Sequence, residues 1–205
     1  MPERLPAAFF ARPTIEVARD LIGRTLVHES PEGRVAGRFV EVEAYCGTDD
    51  PSSHAYRRTP RSEVMYGPPG RLYVYFTYGM HHCANLVAEA EGVPGAVLLR
   101  AVEPTGGLRL MALRRGTSDP RLLARGPGRL CQAFGLDLTH NRLDLTDGPV
   151  WVEGPAALDG PVVASSRIGL RPGQDQPWRF SEAGPWTSGP AAAAPRAKAA
   201  RGRLT

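Results

Sequence analysis

Two segments of the chain alternate apolar and polar positions with the two-residue period of a β-strand. Along residues 38–45, Val40, Val42 and Ala44 fall on one face and Glu41, Glu43 and Tyr45 on the other. Along residues 72–80, Leu72, Val74 and Phe76 form an apolar face opposite Tyr73, Tyr75 and Thr77. Tyr78-Gly79 then forms the tip of a turn, because glycine accepts positive φ. Helical spacing takes over in residues 14–26, where Ile15, Ala18, Leu21 and Ile22 share one side and Thr14 is placed to cap the helix. Elsewhere the pattern predicts strands at 24–30 and 34–45, paired strands at 71–78 and 80–88, and a strand at 95–103. Helices follow at 106–115, 118–124 and 127–135, then short strands near 149–153, 161–170 and 177–181. Residues 46–70 are punctuated by Gly47, Pro51, Pro60, Gly67, Pro68, Pro69 and Gly70, which predicts a long functional loop with one helical turn near 61–65. No internal repeat is visible. Short strands and helices in mixed order predict an α+β fold rather than a wound βαβ one.

A chain of 205 residues is read as one domain with ample length for a core. It has no run of 18 apolar residues and no apolar leader after Met1, so the expectation is a soluble, cytoplasmic protein with no membrane partner. Cys46, Cys83 and Cys131 are odd in number and far apart, which predicts reduced thiols rather than a disulfide framework or zinc ribbon. His81-His82-Cys83 resembles a metal cluster, but adjacent residues of a strand face opposite ways; no metal and no cofactor are expected. The net charge of +4 equals the charge of Arg196, Lys198, Arg201 and Arg203, leaving 21 basic side chains against 21 acidic ones. Residues 1–188 therefore read as an electrically balanced domain, and 189–205, rich in proline and alanine, as a disordered basic tail. A balanced domain attracts nucleic acid only if its charge is segregated. Arg57, Arg58, Arg61 and Arg71, with Arg114, Arg115, Arg121, Arg125 and Arg129, are the candidates for a basic side. The preference for arginine over lysine points to a GC-rich genome and a bacterial source.

Candidate chemistry lies on the two alternating segments. A carboxylate two residues from a tyrosine on a stiff element suits a hydrolytic site, with a base to activate water beside a ring for a flat substrate. Glu41 and Glu43 share a face, so spacing leaves both open as that base. Tyr73, Tyr75 and Tyr78 are three of the chain's six tyrosines within six residues, which favours a binding surface for a flat ring over pure core. Arg100 interrupts the apolar run 97–102 and must find a partner. Lys198 is the only lysine, so a catalytic amine on a side chain is unavailable to residues 1–197.

Glu43-Ala44-Tyr45, His54, Tyr73-Val74-Tyr75 with Tyr78-Gly79-Met80, Asn85 and the block 98–104, Leu-Leu-Arg-Ala-Val-Glu-Pro, resemble the alkyladenine (3-methyladenine) DNA glycosylase family in order and spacing. The blocks 126–133 and Arg167-Ile168-Gly169 extend the resemblance, which runs from about Arg12 to Trp186. It implies a single compact α+β domain around a curved antiparallel β-sheet with flanking helices, like a formyltransferase C-terminal domain. It implies a DNA glycosylase, expected as a monomer on double-stranded DNA containing damaged purines, in the cytoplasm at the nucleoid; the missing lysine in residues 1–197, with a carboxylate to activate water, predicts that it is monofunctional. It selects Glu43 as the base that activates water, with its carboxylate open to the cleft, and points Arg100 at the target phosphate and that water. Tyr45, His54, Tyr75 and Asn85 become the base pocket, Asn85 obstructing guanine. Tyr78, with Met80 beside it, becomes the wedge that fills the gap left by a flipped nucleotide. From the basic-side candidates, Arg58, Arg61 and Arg71 are expected on the DNA backbone. His81-His82 depart from bulkier aromatic residues of the family. The competing reading is a catalytically silent nucleic-acid-binding module on the same scaffold.

Overall fold

A computed structural model describes residues 3–155, 157–170 and 175–189. Of the expected tail, all but Gly189 lies outside them. Eight strands form one antiparallel sheet: β1 (Thr25–Ser30), β2 (Gly33–Tyr45), β3 (Leu72–Thr77), β4 (His81–Ala88), β5 (Gly95–Gly106), β6 (Val150–Glu153), β7 (Val162–Ser165) and β8 (Arg179–Glu182). The main path runs β3-β4-β5-β2-β1-β6, with β8 on the second half of β2 and β7 on β8. Helices α1 (Ala7–Phe10), α2 (Thr14–Leu21), α3 (Leu108–Arg115), α4 (Pro120–Leu123) and α5 (Pro127–Phe134) complete the α+β domain expected from the sequence.

Helix α2 is shorter than its periodicity predicts. The chain leaves it through Gly23, which holds φ +83°, and Thr25 is already in β1. Thr14 is not the cap; the Glu89 carboxylate, from just beyond β4, accepts hydrogen bonds from Thr14 N–H (2.5 Å) and Oγ1 (2.7 Å). The 46–70 loop carries three short 3-10 turns, Gly47–Asp49, His54–Tyr56 and Glu63–Tyr66. Of the expected strand at 161–170, only β7 forms.

Strand pairing sorts the residues of β2 to β5 onto two faces. Tyr73 lies opposite Asn85, Asn85 opposite Leu98, and Leu98 opposite Glu43; Tyr75 lies opposite Cys83, and Tyr45 opposite Ala96. Opposed residues in an antiparallel pair project to the same side. The alternate residues Leu72, Val74, Ala84, Leu86, Val97, Leu99, Val42 and Ala44 belong to the main core with Val17 and Leu21 of α2 and Leu130 and Phe134 of α5. On the first face a smaller cluster of Ala55, Val64 and Met65 from the 46–70 loop packs on Tyr73, Val87 and Ala96. Each face of the central strands is covered, so Glu41 and Glu43 are not the solvated face of an edge strand.

Candidate active site

The register between β2 and β5 slips three times, once between Ala36 and Gly37 and twice, in compensating directions, around Glu41. Phe39 pairs with Val102 but Glu41 with Ala101, which leaves Val40 as the extra residue on β2; Val42 pairs with Leu99, which leaves Arg100 extra on β5. A bulge bends the strand and re-aims the side chain it carries. Here it turns Arg100 onto both carboxylates of β2, with Nε at 2.9 Å from Glu41 Oε1 and Nη1 at 3.3 Å from Glu43 Oε1. This is the partner that an arginine inside an apolar strand requires.

The two carboxylates are bound differently. Glu41 is fully buried; it takes Arg100, Arg179 Nη1 (3.3 Å) and the Ser188 backbone N–H, so it faces two guanidinium groups. Glu43 is equally buried and accepts from Ile168 N–H at Oε1 (2.7 Å) and from the Tyr45 hydroxyl at Oε2 (3.0 Å). Burial pushes the Glu43 carboxyl above its usual range; Arg100, the Ile168 N–H and Tyr45 oppose that rise, and the Glu41 charge adds to it. Burial, then the Glu43 charge, raises the Tyr45 phenol far above its ordinary value, so Tyr45 remains a protonated donor to Glu43.

A cavity of about 280 Å³ opens on this face of the sheet. Tyr73, Tyr75, Cys83, Asn85, Leu98 and Arg100 line its sheet side, Tyr45, His54 and Met65 border it, and Ile168 to Leu170 close it on the β7 side. Its walls are largely aromatic, as is usual for small-molecule sites. Glu43 itself does not open into the cavity, contrary to expectation. Tyr45, Arg100 and Ile168 line the cavity where Glu43 does not, and all three contact its carboxylate.

His54 reaches the cavity from the loop. Its Nδ1 lies 2.8 Å from the Tyr73 hydroxyl, and its ring meets Tyr75 edge-on at 4.6 Å. Burial against these rings and then the Arg61 charge pull its pKa down to about 4, so the ring is neutral at physiological pH. Asn85 donates Nδ2 to the Tyr73 carbonyl (3.1 Å), which fixes the amide and leaves Oδ1 for a ligand. Tyr78 is 87% exposed at the tip of the β3–β4 hairpin, in the left-handed region at φ 52°, with Met80 also exposed beside it. His82 lies against Phe76 (ring centroids 5.0 Å) while Cys83 lines the cavity, and among the described residues no group of three His, Cys, Asp or Glu side chains is arranged to hold a metal.

The arginines expected on the DNA side are dispersed. Arg58 pairs with Glu63 (2.6 Å) and lies over the Tyr66 ring, Arg71 pairs with Asp144 (3.2 Å), and Arg61 stands 4.6 Å over the Tyr75 ring. Arg114 pairs with Glu32, Arg115 with Gln132, and Arg125 with the Thr187 carbonyl. Sequence reasoning missed the Arg179 and Ser188 contacts to Glu41 and the Ile168 N–H to Glu43. It also missed the buried Asp50–Arg167 pair, whose guanidinium lies between the Tyr45 and Trp178 rings. Arg167-Ile168-Gly169 was visible as a block, but a backbone donor leaves no side-chain signature.

Comparison with known proteins gives the family. The family described as methylpurine-DNA glycosylase (MPG) matches residues 8–185. Three relatives each carry the name "Putative 3-methyladenine DNA glycosylase". The protein of Methanoculleus marisnigri is 49% identical over 86% of this chain and 93% of its own length. That of Chlorobaculum tepidum is 46% identical over 89% and 88%, and that of Nitrobacter winogradskyi 48% over 86% and 82%. The chain belongs to the methylpurine-DNA glycosylase family.

Proposed function

We propose that the protein is a monofunctional DNA glycosylase of base excision repair that removes alkylated or deaminated purines from double-stranded DNA, acting as a monomer. The observation that carries this is a carboxylate, Glu43, held out of water by Arg100, Tyr45 and a backbone N–H directly behind an aromatic cavity of purine size. Burying a charge is costly, and a module that merely binds nucleic acid has no use for it.

Chemistry on a base requires that the nucleotide leave the stack. Tyr78, exposed on a strained hairpin tip, inserts into the duplex and fills the gap, with Met80 packing at its side. The purine enters between Tyr45 on one side and His54 with Tyr75 on the other. Asn85 stands in the pocket wall, where the 2-amino group of guanine collides with it. Entry of the nucleotide displaces the packing over Glu43 and brings water and C1′ to the carboxylate. Glu43 takes a proton as the water oxygen bonds to C1′; the C1′–N bond breaks, its electron pair leaves with the base, and the Glu43 charge stabilises the cationic sugar on the way. Arg100, anchored by Glu41, keeps Glu43 ionised and faces the target phosphate. The products are a free base and an intact abasic site.

The test is incubation with duplexes carrying 3-methyladenine, 7-methylguanine, hypoxanthine or ethenoadenine. Free base is expected from at least one, with strand breaks only after alkali and no adduct trapped by borohydride. Amine attack would instead leave an imine that borohydride reduces onto the protein. No lysine precedes Lys198, so an adduct mapping to the Met1 amine is the outcome that would overturn the mechanism.

A further inference from the structure

The charges beside the cavity are not evenly compensated. Glu41 and Glu43 face Arg100 and Arg179, and Arg167, which lies 4.6 Å over the Tyr45 ring, is neutralised by Asp50. Arg61 is different. It stands 4.6 Å over the Tyr75 ring and has no ion-pair partner among the described residues. It borders the neighbouring groove with Tyr73, Val74 and Phe76 rather than the cavity, and its guanidinium also donates to the hydroxyl of Tyr73 in the cavity wall. A ring attracts a cation through its negative face, and a guanidinium already on one face draws on that same density. A second cation on the cavity side meets a weakened face and a like charge. The field of Arg61 reaches this cavity, since it also helps keep His54 neutral.

We infer that Arg61 is a specificity-determining residue that biases the cavity towards uncharged damaged purines, of the hypoxanthine or ethenoadenine kind, and against purines carrying the positive charge of N-methylation. This rests on the reading above that a damaged purine occupies the cavity. The two classes also differ in shape, as at the 2-amino group that meets Asn85, but those differences are the same in every variant; only the electrostatic part changes with Arg61.

The experiment measures single-turnover base release at sub-saturating enzyme on two duplexes, one with 7-methylguanine and one with hypoxanthine. The proteins are wild type, Arg61→Met and Arg61→Lys. Methionine keeps an apolar chain over the ring and removes the charge, whereas Arg167 cannot be tested this way without breaking a buried pair. The readout is the 7-methylguanine to hypoxanthine ratio in each variant divided by that of wild type, which cancels the different lability of the two glycosidic bonds. It also cancels any phosphate contact by Arg61, which weakens both duplexes equally. The expected result is a ratio raised about two- to fivefold in Arg61→Met, the worth of an exposed cation–π contact, and returned most of the way in Arg61→Lys. A ratio unchanged or lowered in Arg61→Met, with base release from both duplexes intact, overturns the inference and leaves the glycosylase reading standing. Where wild type releases base from only one of the two, 3-methyladenine replaces 7-methylguanine or ethenoadenine replaces hypoxanthine as the charged or neutral member; release from none of the four lesions overturns the glycosylase reading, and the inference falls with it.

Discussion

At the scale of single residues the proposed mechanism divides the two glutamates of β2 between chemistry and support. Glu43 has one guanidinium and two neutral donors; Glu41 has two guanidiniums and anchors Arg100. Glu43→Gln is therefore expected to lower base release about a thousandfold or more while DNA binding persists. Glu41→Gln leaves Arg100 and Arg179 short of a counter-charge, and its main effect is a loss of about 3 kcal/mol of stability in chemical denaturation. Reversal of the two phenotypes would reassign the base. The pH behaviour follows from the raised Glu43 pKa. Glu43 must be ionised to take a proton from water, so release of a purine that needs no protonation rises with pH through a midpoint above the ordinary carboxylate value of 4.5, then levels. For stability the sign is opposite. A folded-state pKa above the unfolded one gives stabilisation that is complete below 4.5 and is lost as pH rises through the folded value. Ionised Glu43 is thus a cost at neutral pH, and Glu43→Gln is expected to melt no lower than wild type there.

At the scale of elements, the hairpin of β3 and β4 carries its own strain. Three residues, Tyr78 to Met80, join Thr77 to its partner His81, and both Tyr78 and Gly79 hold positive φ. Gly79 does so freely, but a tyrosine gives up about 1–2 kcal/mol. A side chain retained at that cost and left 87% exposed contributes nothing to the core. Tyr78→Gly is therefore expected to leave the melting temperature unchanged or slightly raised, while the fluorescence change of a reporter base beside the lesion on flipping is lost. A clear fall in melting temperature would mean that the ring supports the fold instead. This hairpin and β2 were legible in the sequence because both faces of each strand are written in alternating residues. The bulge at Arg100 was not. It depends on register between β2 and β5, strands separated by the 46–70 loop and a hairpin, and a register slip leaves no residue pattern behind. The end of α2 was misread for a related reason: Ile22 continues the helical spacing, and the turn at Gly23 outweighs it.

At the scale of the whole molecule, the question is how a domain whose charges balance holds a polyanion. Many of its arginines are already committed to carboxylates or backbone carbonyls, and the net charge of +4 is that of Arg196, Lys198, Arg201 and Arg203, which lie outside the described residues. Four such cations can contact about four phosphates, each contributing roughly 0.9 to the dependence of log affinity on log salt. Where the domain ends matters for testing this, because Ser188 still donates its backbone N–H to Glu41 and accepts from Arg100 (3.2 Å). Removal of residues 190–205 keeps those bonds. It is expected to weaken binding chiefly at low salt, flatten the salt slope, and leave single-turnover release at saturating enzyme within about twofold of wild type, since no catalytic contact is lost. Removal of residues 187–205 takes Ser188 as well and should lower both melting temperature and the saturated rate. If the shorter deletion already cut the saturated rate by tenfold or more, residues beyond Gly189 would belong to the site, and the tail would not be a purely electrostatic appendage.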